Sequence, residues 1–138
     1  MYPYIATIII VLIADFIWLY LNKNNYNSLV TKVQGSTIQL NFIGGALSYL
    51  FLIIGLFVFS IPMITNEYNK NKKQSLLLLS MLYGGVLGLV IYGVFNTTNI
   101  AIFKDYDIYV AIIDTTWGFF IYTFAAYFLM TLILYKNK

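Results

Sequence analysis

The sequence predicts an all-α integral membrane protein, an antiparallel bundle of four transmembrane helices, and three observations carry that prediction. The 138 residues are 61% hydrophobic and only 9% charged, against about 45–50% and about 25% in soluble domains. Four apolar stretches, about 4–21, 40–64, 76–101 and 108–134, reach the roughly 20 residues that a hydrocarbon core of about 30 Å requires. Short polar connections separate the later ones, so consecutive helices should be antiparallel neighbours in a single polytopic domain, 1–138.

The first stretch lacks both leading basic residues and an Ala-x-Ala cleavage site, so it reads as a retained helix and not a signal peptide. The 22–39 connection carries Asn24, Asn25, Asn27 and Gly35. It is long for a helix hairpin and reads as plain linker, with an interfacial segment through Leu29, Val30 and Val33 as the alternative. The second stretch opens with Asn41 and a small-residue face, Gly44, Gly45 and Ser48; the third has Gly84, Gly85 and Gly88. Such spacing lets two backbones approach. Packing within the chain is the expected use, and a homo-oligomer through these glycine-rich faces is the alternative. Asn66, Glu67, Asn69, Lys70, Lys72 and Lys73 mark the second connection, and Lys104 to Asp107 the third.

Orientation follows from lysine placement, because cytoplasmic loops carry the excess of cations. Lys70, Lys72, Lys73, Lys136 and Lys138 fall on one side, and Lys23, Lys32 and Lys104 on the other. Both termini are therefore expected in the cytoplasm. Tyr2, Tyr4, Tyr20, Tyr106, Tyr109 and Tyr135 sit at span ends, where amphipathic rings favour the membrane interface.

Composition also removes whole classes of chemistry. Cysteine and histidine are absent, which excludes disulfides, thiol nucleophiles, His/Cys zinc sites, histidine-ligated haem and histidine general bases. No cofactor or metal set is expected. Eight dispersed cations at net +3 do not make a nucleic-acid surface. The partners expected are the bilayer and a proton, small cation or lipid ligand.

Two acids stand inside apolar spans: Asp15, and Asp114 within the run Tyr109-Val-Ala-Ile-Ile-Asp-Thr-Thr-Trp-Gly. Each costs about 2.5–3.5 kcal/mol at mid-bilayer on insertion scales, and a residue retained at that cost points to function. Asp15 lies about six residues before the end of its helix and Asp114 about six after the start of its own, roughly 9 Å inside the same face. Antiparallel topology brings Asn41, Asn96, Thr98 and Asn99 to that layer. Asp15 with Trp18, Asn96 with Asn99 and Asp114 with Trp117 are i, i+3 pairs sharing a helix face. An indole N–H is a donor for a carboxylate. All cations are lysines in loops or at the C-terminus, so the carboxyls are either neutral, share a proton, or await an external cation. Lys104 reaches them only by folding back.

With these residues the chain resembles a family of small four-helix membrane proteins, domain of unknown function 2177. The resemblance runs through Asp15, Trp18 and Leu19; Thr98, Asn99, Ile100 and Ala101; and Asp114, Trp117 and Gly118. Asn96 stands where that family commonly has an aspartate, and Asp105-Tyr106-Asp107 where it has Gly-Trp-Pro. The resemblance implies a fold and a site of Asp15, Trp18, Asn96, Thr98, Asn99, Asp114 and Trp117; it implies no activity.

Three functions remain open on sequence. The first is binding or transport of a proton, small cation or amine-bearing solute at the acidic layer. The second is a membrane enzyme acting on a lipid or apolar substrate, with Asp15 and Asp114 as acid and base. The third is a structural or assembly protein whose polar layer serves folding.

Overall fold

The apolar stretches form helices from end to end. The computed structural model describes residues 1–136, with α1 at Tyr2–Leu21, α2 at Lys23–Gln34, α3 at Phe42–Lys70, α4 at Leu76–Ile102 and α5 at Ile108–Lys136. Lys138, one of the C-terminal charges counted for orientation, lies outside the described residues. Helices α1, α3, α4 and α5 are long and apolar enough to cross a membrane. Large side chains such as Phe42, Phe51, Phe59, Val94 and Ile112 stand exposed around the bundle, a surface matched to lipid tails.

The 22–39 connection departs from the plain-linker expectation, for most of it is the helix α2. Leu29 is buried, Val30 and Val33 are half-buried, and the asparagines point largely outward; this one-sided burial is what tertiary packing supplies to a short helix. Gly35 ends it with φ +76°, a left-handed cap that glycine adopts without a Cβ penalty. α3 also overruns its expected end at 64. Its polar last turns are held by Thr65, whose hydroxyl donates to the Ile61 carbonyl at 2.8 Å, and by Lys70 on Glu67.

Two wide π-type segments interrupt the long helices, Gly55–Ser60 in α3 and Ser80–Gly85 in α4. The first lies just before Pro62, which has no N–H to donate to the preceding turn and crowds its carbonyl. The segments meet across the bundle, where the Ser60 hydroxyl donates to the Tyr83 carbonyl at 2.8 Å.

Packing is closest between α4 and α5. A Cβ at Gly84 would stand 2.8 Å from both Ala126 Cβ and the Tyr122 carbonyl, and one at Gly88 would strike the Gly118 carbonyl. Here the glycine face of α4 is consumed inside the chain. The core below it comprises Leu56, Ile64, Ile121, Ala126, Leu129 and Met130, with their neighbours. α1 packs on α5. The first half of α3, Phe42–Ile54, buries no residue, and nothing approaches a Cβ placed at Gly45.

Candidate functional site

The site grows from two Asp-x-x-Trp segments on neighbouring antiparallel helices. Trp18 of α1 and Trp117 of α5 stack face to face, with centroids 4.5 Å apart and parallel planes. Helical side chains lean toward their own N-terminus. In antiparallel helices the two rings therefore converge on one level. The two carboxyls line different spaces, Asp15 with residues of α1 and α3 and Asp114 with residues of α2 and α4.

Each carboxylate oxygen has its own neutral donor. Asp15 Oδ2 accepts from the Tyr49 hydroxyl at 2.5 Å, and Oδ1 from the Trp117 indole at 2.8 Å. Asp114 Oδ1 accepts from the Tyr26 hydroxyl at 2.6 Å, and Oδ2 from the Asn96 amide at 2.8 Å. Tyr26 in turn accepts from the Trp18 indole at 3.0 Å. The tryptophan beside each aspartate thus serves the other aspartate, Trp117 directly and Trp18 through Tyr26. These donors offset part of the insertion cost of the acids.

Asn96 is 1% exposed and carries the network on. Its amide also faces the Tyr92 carbonyl at 3.0 Å and the Thr115 hydroxyl at 3.2 Å, and its oxygen accepts from Tyr106 at 2.9 Å. Tyr106 and Tyr26, both outside the spans, have phenols held above their ordinary range: burial is the main cause in each, and for Tyr26 the bond to Asp114 adds to it.

Other residues expected in the layer are placed differently. Asn99 lines the cavity beside Asp114. Thr98 is exposed on α4, which turns it away from the Asn96 face. Asn41 is exposed and caps α3, its oxygen accepting from the Gly44 N–H at 2.9 Å. Lys104 is exposed, and the ion pairs among the described residues are Lys32 with Asp107 and Lys70 with Glu67. Among the described residues no lysine joins buried Asp15 or half-buried Asp114. The tyrosine donors Tyr26 and Tyr49 escaped the sequence reading. Both are long side chains that reach the acids from other helices, a relation that spacing within one helix does not reveal.

The two acids open on two different spaces. Asp114 borders a cavity of about 360 Å³ beneath α2, shared with Tyr26, Val33, Phe95, Asn99 and Tyr106. Asp15 closes one end of a groove lined by Thr7, Val11 and Leu12 of α1 and by Leu52, Leu56 and Phe57 of α3. Among the described residues no set of three or more acidic ligands gathers in one place.

The model of a family described as predicted membrane protein, DUF2177, matches residues 1–131. No curated protein and no solved structure matches the chain significantly.

Proposed function

The chain belongs to the DUF2177 family of predicted membrane proteins, and on that premise we propose that it receives a proton, a small monovalent cation or a small protonated amine at the Asp15/Asp114 layer. One observation carries the reading: both intramembrane carboxylates are held by neutral donors alone, with no lysine on either. Such a layer keeps its acids oriented and leaves their charge uncompensated, which is the electrostatic form of a cation site.

The route begins in the cavity below α2. It brings water and a small cation up to Asp114. With both termini in the cytoplasm, as the lysine bias favours, the cavity opens on the opposite side of the membrane.

Purified protein in liposomes tests this reading. Ammonium, methylammonium, sodium and a pH gradient are supplied in turn, with flux and thermal stability as readouts. A response in the wild type that falls at least five-fold in Asp114→Asn and in the Asp15→Asn, Asp114→Asn double variant supports it. Indifference of both readouts to both variants would sink it.

A second reading, an enzyme acting on a lipid with the aspartates as acid and base, is favoured by the groove at Asp15. Comparing lipid extracts of cells with and without the protein separates it from the first.

A further inference from the structure

We propose that the groove ending at Asp15 binds a single-chain amphiphile with an ammonium head, the head on Asp15 and the hydrocarbon chain along α1. This rests on the cation reading of the carboxylate layer and goes beyond it by naming a ligand class drawn from the bilayer.

The groove is built for one chain. Its α1 wall runs from Thr7 to Asp15, roughly 12 Å at 1.5 Å per residue. The groove holds about 500 Å³ with its open side included, and little of that is wide enough for water. A bore that narrow, about 12 Å long, suits a single extended hydrocarbon chain. The walls are Ile8, Val11, Leu12, Leu56 and Ile121, which meet methylenes by van der Waals packing.

Polar groups are few, and the Tyr122 hydroxyl on the wall is committed to the Leu52 carbonyl at 2.9 Å. At one end stand Asp15, its donor Tyr49, and Tyr92; at the other is Thr7, whose hydroxyl is already committed to the Pro3 carbonyl at 2.8 Å. Thr7 therefore has no hydrogen left to give, and the free charge is on Asp15. An anionic head is repelled there. A neutral hydroxyl forms a hydrogen bond but leaves the charge uncompensated, so the ammonium head is the complementary one.

Access is lateral. α1 and α3 form the two long walls, yet they make no extended backbone contact. Their side chains meet where Tyr4 stands edge-on to Phe57 at 5.1 Å and, at the other end, where Phe16 lies beside Tyr49 at 6.3 Å and Tyr49 donates to Asp15 at 2.5 Å. These points bracket the groove near its two ends. Between them a chain enters from the bilayer without passing through water.

Thermal stability in phosphatidylcholine nanodiscs is the test, with dodecylammonium, dodecanol, dodecanoate and butylammonium as probes. Dodecylammonium should raise Tm saturably, with at least five-fold higher apparent affinity than dodecanol or butylammonium, and dodecanoate should not act. Asp15→Asn should bring dodecylammonium down to the level of dodecanol. Val11→Phe, which narrows the bore away from Asp15, should abolish the dodecylammonium response; Leu12→Phe serves if that variant does not fold. If butylammonium acts as strongly as dodecylammonium, the cation reading stands and the groove inference falls. If dodecylammonium and dodecanol act alike in the wild type and in Asp15→Asn, the chain is merely partitioning and the inference falls. If no amine of either length acts and the liposome assays are also silent, both readings fall.

Discussion

Trp18 and Trp117 are stacked at 4.5 Å, and each is the third residue after an aspartate that the other one serves. Trp117 donates to Asp15 across the helix interface, and Trp18 reaches Asp114 by way of Tyr26. The exchange fixes the register of α1 on α5 without a salt bridge. It also orders the site, because neither carboxylate can turn without breaking a bond to another helix.

Trp117→Phe should therefore cost more than Trp18→Phe. Both keep an aromatic face for the stack, worth about 0.5–1.5 kcal/mol. The first strips a donor directly from a buried carboxylate, a loss of about 1.5–3 kcal/mol. The second removes a neutral donor from a phenol, about 1 kcal/mol. Equilibrium unfolding of the two variants in mixed micelles gives the order, and equal losses would mean the indole of Trp117 does not hold Asp15.

The glycines predict opposite signs for one substitution. Gly88→Ala drives a Cβ into the Gly118 carbonyl, whereas Gly45→Ala meets nothing within 4 Å. The first should destabilise by about 1–3 kcal/mol as α4 is pushed from α5. The second should be neutral or stabilise by up to about 1 kcal/mol, through helix propensity. Melting temperatures of the pair check this directly.

These glycines also show what was legible in the sequence. Length and hydropathy placed four spans, because the count needed rests on the fixed rise of a helix. Small residues marked both α3 and α4, yet only α4 uses its face inside the chain, since partner choice depends on shapes that a one-dimensional pattern lacks. The same limit hid Tyr26 and Tyr49, whose role depends on contacts 88 and 34 residues away in sequence. That the two carboxyls line different spaces is likewise beyond what depth along a helix reveals.

Asn96→Asp is the informative change at the position where the family resemblance has an aspartate. The Asn96 amide is a donor 2.8 Å from Asp114 Oδ2. A carboxylate there sets oxygen against oxygen at that distance, in a place with no lysine. The variant should lose about 3 kcal/mol at neutral pH, the scale of an uncompensated buried charge. A small cation should restore stability, and should stabilise the variant more than the wild type. Unfolding with and without 10-fold varied sodium or magnesium measures the coupling; no difference between the two proteins would mean Asp114 has no room for an added cation.

The last prediction concerns how α2 holds its place as pH falls. Asp107, outside the spans, bonds Lys32 of α2 at 3.2 Å and caps α5 by accepting from the N–H groups of Tyr109 and Val110. The Lys32 bond, then the backbone donors, hold its carboxyl below the ordinary value of 3.8. A depressed folded value means that the ionised form is favoured by folding. Its contribution is therefore complete above about pH 3.8 and is lost as pH falls through the lower folded value. Hydrogen exchange along α2 and the first turn of α5 should be steady from pH 7 to about 4.5, after correction for intrinsic rates, and protection should decline below about 3.8. Asp107→Asn should flatten that acid limb. Lys32→Ala should flatten it only in part, because the backbone donors of α5 remain. Tyr26→Phe should lower protection of α2 already at neutral pH, because it removes the hydroxyl that donates to Asp114. An acid limb that persists in Asp107→Asn would show that another carboxyl holds α2 in place.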